Sequence, residues 1–127
     1  MCVLRIVGEM LDAASVVASI EGAGLKAHVH RSQHQVIVPI SEGSWSEPMG
    51  QFSDAEAFLV DRGALVREIA GRPDVEGLTL DFPTERRPEV AAQFVRFPVS
   101  LVSKAGALGV GLELSSYDVT GHERPAV

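Results

Sequence analysis

Cysteine is nearly missing from this 127-residue chain: Cys2 stands alone, so no internal disulfide can form, and no second thiol exists to share a zinc site or redox pair. A reducing compartment is the expected setting. Long apolar runs are missing too. Nothing approaches the roughly 18 to 20 uninterrupted apolar residues of a membrane span, and Arg5 interrupts the apolar start. That start also lacks the basic segment, extended apolar segment and small-residue cleavage site of a secretory signal, so Met1 is expected to be the mature N-terminus and the location cytoplasmic. Basic residues are in deficit, 11 against 17 acidic, and the net charge of -6 repels phosphate backbones on average. The densest basic spot, Arg86-Arg87, sits between Glu85 and Glu89 and reads as a solvated turn rather than a nucleic-acid site. Neither a nucleic acid nor a membrane is an expected partner.

What is present is ordinary globular composition, 46% hydrophobic and 22% charged, in a length suited to one core. One α+β domain over residues 1–119 with a frayed tail at 120–127 is the expected organisation. Cys2 to Val7, rich in branched residues and stopped by Gly8, reads as a strand. Asp12 can cap a helix carrying Ala13, Val16, Val17 and Ile20 at helical spacing, closed by Gly22 and Gly24. Leu25-Ala27-Val29 and Val36-Val38 alternate as two strands around Ser32-Gln33. A two-residue turn there sets Val29 opposite Val36.

Residues 39–52 shift to Ser, Gly, Glu and Pro and read as a loop, with Trp45 either a plug over the core or a contact anchor. Ser53-Asp54-Ala55-Glu56 matches a capping box. It predicts a helix whose stripe of Phe58, Leu59, Leu65, Val66 and Ile69 runs to Gly71. Leu78-Leu80-Phe82 and Val90-Ala92-Phe94 predict two further strands joined by a turn at 83–88. A short helix from Pro98, closed by Gly109, and a last strand through Val110, Leu112 and Leu114 complete the chain. The first six elements follow the order βαββαβ and an extra βαβ follows. The pattern predicts a ferredoxin-like antiparallel sheet with helices on one face.

With one face covered, the other carries the polar alternates Arg5, His28, His30, Asp81, Glu113 and Gln93. One reading is cross-strand ion pairing that keeps a solvent-facing sheet polar. The other is a ligand or partner surface, with Arg5 clamping a carboxylate or phosphate and Asp81 or Glu113 acting as acid or base. His28 and His30 share a face at a spacing that metal sites use, but a third ligand is missing, because His34 falls on the opposite face in the favoured register. No metal or cofactor is expected. Gly106 to Gly111 fails as a phosphate loop, since its glycines close a helix and enter a strand instead of the reverse. Ser41, Ser44 and Ser46 lie in a loop without a nucleophile elbow, so no catalytic residue is assigned.

Leu4-Arg5-Ile6-Val7-Gly8, Asp54-Ala55-Glu56-Ala57-Phe58-Leu59, Leu80-Asp81-Phe82, Phe97-Pro98 and Leu112-Glu113-Leu114-Ser115 together resemble a bacterial family of small stand-alone cytoplasmic α+β proteins known only as a domain of unknown function. The resemblance implies a fold and a bacterial intracellular setting, and it carries over no catalytic residue. The first strand-to-helix turn is also similar to small-ligand regulatory modules of the ACT type. The expected role is a non-enzymatic protein-interaction or immunity-type module that holds a protein partner or associates with itself as a homodimer. A ligand-binding regulatory domain, or an enzyme working on the polar sheet face, is the alternative.

Overall fold

The computed structural model describes residues 1–41, 48–86 and 94–118. Its architecture grows from the alternation in β1 (Val3–Val7): Leu4 and Ile6, with the preceding Cys2, turn to one side, and Val3, Arg5 and Val7 turn to the other. The helices follow the first set. Val36 and Val38 of β3 (Gln35–Pro39) and Leu78, Leu80 and Phe82 of β4 (Gly77–Arg86) join it in one buried cluster. So do Ala13, Val16 and Ile20 of α1 (Ala13–Gly22), Phe52, Ala55 and Leu59 of α2 (Pro48–Asp61), Val66 and Ile69 of α3 (Gly63–Ala70), and Leu101 and Ala105 of α4 (Val99–Ala107). All four described helices therefore bury their stripes against the same side of the sheet.

Among the described residues the sheet has five strands in the order β2-β3-β1-β4-β5, with β2 at His28–Val29 and β5 at Gly111–Asp118. β1 runs antiparallel to both β3 and β4, and β2 antiparallel to β3. The wholly antiparallel expectation needs correction at one edge. β5 lies parallel to β4, which requires a crossover, and α4 provides it. The hairpin register is the expected one, Val29 opposite Val36, although β2 is reduced to two residues and Gln33 takes a left-handed φ of 67° in the connection.

Two further expectations are corrected. The helix predicted from Ser53 starts at Pro48 and breaks at Arg62, so Ser53 lies inside α2 and its capping box is unused. Proline is compatible with a first turn, and the fully buried Gln51 and Phe52 extend the buried stripe by one turn. At the break, the Arg62 guanidinium donates to the Ala23 carbonyl at 2.9 Å and so ties the α2–α3 corner to the end of α1. Likewise Pro83, expected in a turn, continues β4, which spans ten residues. Pairing with β1 ends at Asp81, so the missing Pro83 donor lies beyond that ladder, and its carbonyl accepts the Gln51 side-chain amide at 2.9 Å. Of the strand expected at 90–95, Phe94 and Val95 have no regular structure, and 90–93 lie outside the described residues, as do Trp45, Gln93 and the expected tail.

Two caps and one close approach fix the connections. The Asp12 carboxylate accepts the Ser15 N–H at 3.2 Å, the predicted cap of α1. Gly109 closes α4 with φ 72°, the left-handed residue expected there. Gly8 leaves β1 against the turn before β4 so tightly that a Cβ would sit 2.1 Å from the Asp74 carbonyl oxygen. Phe52, Phe82 and Phe97 meet in an aromatic knot, with centroids 4.9 to 5.5 Å apart, that pins the approach to α4 onto β4. Among the described residues no helix is long and apolar enough to cross a membrane.

Candidate functional site

Register decides which polar alternates meet on the face opposite the described helices. Across the sheet, His28, Ile37, Arg5, Thr79 and Gly111 form one row, and Pro39, Val3, Asp81 and Glu113 form the next. Arg5 and Asp81 are thus diagonal neighbours on adjacent strands, a separation that a long side chain spans. The guanidinium does span it. Nη2 donates to Asp81 Oδ2 at 3.0 Å, and Nη1 donates to Gln35 Oε1 at 2.9 Å on the other flanking strand. The Ser115 hydroxyl, on β5, donates to Asp81 Oδ1. One side chain from each of β3, β1, β4 and β5 is thereby tied into a single polar knot.

The knot is asymmetric in burial. The Asp81 side chain is only 5% exposed, whereas that of Arg5 is 31% exposed. A carboxylate so deep is sustained by its cation and hydrogen bonds, since an unpaired buried charge is strongly unfavourable. With both oxygens engaged, Asp81 is placed as a structural acceptor, and Arg5, shared between Gln35 and Asp81, is held by the protein itself. Glu113 neighbours Asp81 in register but is exposed.

The remaining sequence candidates do not converge on this knot. His28 is exposed at the end of its row, on the edge strand. His30 works in the hairpin connection, where its Nδ1 accepts the Ser32 N–H at 3.2 Å and lies 3.0 Å from the Ser32 hydroxyl. The same hydroxyl accepts the His34 N–H. Among the described residues, no group of three or more His, Cys, Asp and Glu side chains is arranged to hold a metal ion. The sequence reading missed Gln35 and Ser115 as members of the knot. Both occupy polar alternate positions that the pattern exposes, and only the strand order shows that they flank Arg5 and Asp81.

Two other polar clusters lie away from this face. Arg72 forks onto Asp74, with Nε to Oδ1 at 3.0 Å and Nη2 to Oδ2 at 3.1 Å, and it also donates to Ser15 at 3.2 Å. Asp74 accepts the Asp12 N–H at 2.8 Å as well, locking the start of α1 to the turn before β4. Hydrogen bonding from Arg72, then from the Asp12 N–H, holds the Asp74 carboxyl down at about 2, and the same pair raises the Arg72 guanidinium. At the other end of β1, the Cys2 N–H donates to the buried Ser41 hydroxyl at 3.1 Å. Burial, reinforced by the negative charge of Asp81, pushes the Cys2 thiol up to about 12, far from an activated thiolate.

Two of the cavities among the described residues are of appreciable size. One of about 320 Å³ runs between the α2–α3 corner and α4, lined by Leu59, Val60, Ala64, Arg67, Lys104 and Leu108. The other, about 460 Å³, opens beside Met1, Lys26, Ile40 and Ser41. No family model matches the chain, and no curated protein or solved structure matches it either.

Proposed function

We propose that the chain is a non-enzymatic protein-interaction module of immunity type that holds a basic protein partner such as a nuclease. The observation that carries this reading is the polar knot. Arg5, a cation on the sheet face opposite the described helices, is neutralised by Asp81, while Glu113 two strands from Arg5 stays exposed and the whole chain carries a net charge of -6. A face whose cation is spent internally offers acidic groups to a partner, and complementary charge speeds association with a basic surface. The knot also weighs against the enzyme and ligand-clamp readings, which need Arg5 or Asp81 turned toward a substrate.

The finer fold reading belongs with this proposal. β1 to β4 with α1 and the α2–α3 pair form a split βαβ repeat of ferredoxin-like kind, a reading supported by the order β2-β3-β1-β4 with every pair antiparallel. α4 and β5 extend it on one side. The bacterial, intracellular setting rests on the resemblance described from the sequence.

Calorimetric titration against a panel of basic nuclease domains tests the reading. Binding that weakens as salt rises, and slows in Glu113→Lys, is the expected result. Absence of binding to every basic domain in low salt would remove the immunity reading. Binding untouched by both salt and Glu113→Lys would remove the acidic face from it.

A further inference from the structure

The helix layer holds a groove lined by apolar and basic residues. Leu59 and Val60 in the last turn of α2, Gly63 and Ala64 in the first turn of α3, and Arg67 one turn further on stand at i, i+1, i+4, i+5 and i+8, so a single stripe runs through the Arg62 break. Lys104, Ala107 and Leu108, at i, i+3 and i+4 along α4 and its end, form the facing wall. α4 packs on α2, where Ser100 and Lys104 both reach Glu56. Beyond that contact the facing residues are small. Gly63, Ala64 and Ala107 leave the walls apart, a Cβ on Gly63 would meet no atom within 4 Å, and the space comes to about 320 Å³. That volume lies within the range of small-ligand sites, roughly 300 to 1,000 Å³.

Charge narrows what such a groove fits. The chain carries 17 acidic residues against 11 basic ones, yet among the described residues that line the groove both charged ones are cations, Arg67 on one wall and Lys104 on the other. Arg67 is exposed, and among the described residues no carboxylate lies within ion-pair distance of it. Lys104 has Glu56 Oε2 at 3.8 Å, a long contact on a carboxylate that also accepts the Ser100 hydroxyl, and an ammonium has three protons to donate. The rest of the described lining is apolar, and Val60 within it is 62% exposed.

We propose that this groove binds a small amphipathic monocarboxylate, a free molecule whose carboxylate is taken by Arg67 and Lys104 and whose short apolar tail covers Leu59, Val60 and Leu108. Arg67 supplies a planar fork suited to both carboxylate oxygens, and Lys104 supplies a point charge from the opposite wall. A cationic amphiphile would meet two like charges there, and a bare anion would leave Val60 and the leucines uncovered. The site uses no residue of the polar knot, so it stands or falls independently of the partner-binding reading.

The test is titration of the isotope-labelled full chain with octanoate, followed by amide chemical shifts in NMR. Saturable shifts at Gly63, Ala64, Ala107 and Leu108 are expected, with a dissociation constant on the order of a millimolar, while Val36 and Ser115 in the sheet stay unmoved. Acetate, which lacks the tail, and octylammonium, which reverses the charge, should each bind at least about tenfold more weakly. Arg67→Gln, at an exposed position, and Ala64→Leu, which puts bulk into the groove, should each weaken octanoate binding by roughly tenfold with the circular dichroism unchanged. Lack of saturation up to about 10 mM overturns the proposal. So do octylammonium binding as tight as that of octanoate, shifts centred outside the groove, and a folded Arg67→Gln variant that binds octanoate as the parent does. A short peptide ending in a leucine carboxylate that binds tighter than octanoate overturns the assignment to a free small molecule.

Discussion

Removing Arg5 asks whether the polar knot is a fastening of the fold or a site awaiting a ligand. Arg5→Met keeps the apolar stem of the side chain and deletes only the guanidinium. Asp81, 5% exposed, would keep the Ser115 hydroxyl but lose its cation, and Gln35 Oε1 would lose its donor. Breaking a fully buried pair costs about 3 to 5 kcal/mol. The Arg5 side chain is 31% exposed, so water partly screens the pair, and about 2 kcal/mol is the expected loss. With an m-value of about 2 kcal/mol/M for a domain of this size, the urea midpoint should fall by about 1 M. Asp81→Asn leaves a neutral group that still bonds Ser115 and a cation that still reaches water, for an expected loss of about 1 kcal/mol. In the double variant the penalties should fall short of their sum by about 1 kcal/mol, the signature of direct coupling. Urea unfolding of the four proteins, followed by fluorescence and circular dichroism together, reads all of these quantities. An Arg5→Met loss below about 0.5 kcal/mol, or strictly additive penalties, would refute the argument and return Arg5 to the pool of ligand-binding groups.

The Asp74 carboxyl, lowered to about 2 mainly by Arg72, lies below its unfolded value of about 3.9, so its contribution is complete above that value and is lost as pH falls through about 2. The gap between the parent and Asp74→Asn in urea midpoint should accordingly be constant from pH 5 upward and close near pH 2. Gly8→Ala places a Cβ 2.1 Å from the Asp74 carbonyl oxygen and should destabilise by at least about 1 to 3 kcal/mol, whereas Gly22→Ala, which meets no atom within 4 Å, should be neutral or stabilise by up to about 1 kcal/mol; thermal melts of both compare them. Cys2, buried with its thiol raised to about 12, should resist a thiol reagent at pH 8 and react only at the rate of global unfolding. Ser115→Ala removes the hydroxyl that fastens β5 to Asp81, and hydrogen exchange should accelerate along Gly111–Tyr117 more than along β1.

Local signals in the sequence carried a long way. The Val3–Val7 and Gln35–Pro39 strands, the Asp12 cap, the left-handed Gly109 and the Val29–Val36 register all follow from alternation and turn chemistry within a few residues. The failures have a common cause in context that a local window lacks. Ser53 satisfies the capping-box pattern, yet burial of Gln51 and Phe52 starts the helix a turn earlier. Pro83 looks like a turn because a proline inside a strand is unfavourable, but that holds only where its N–H would meet a neighbour, and β1 has already ended there. The polar face was legible as a set of residues and illegible as a network. Period two placed Arg5, His28, Asp81 and Glu113 on one side, and the order β2-β3-β1-β4-β5 alone decides that Arg5 meets Asp81 while His28 lies two strands away.

The same strand order gives the knot a mechanical consequence. Among the described residues β5 is joined to the sheet through β4, along a parallel ladder, and parallel pairing is slightly less stable per residue than antiparallel pairing. Side-chain fasteners therefore matter more at β5 than elsewhere: Ser115 donates to Asp81, and Thr84 donates to the Ser115 carbonyl at 3.2 Å. Arg5, one strand further in, holds the Asp81 carboxylate that Ser115 binds. A charge buried on β4 thus positions the strand beside it at the rim. An apolar side chain at position 81 would remove the acceptor that the Ser115 hydroxyl binds, which is a physical reason to bury an aspartate there even where no substrate ever meets it.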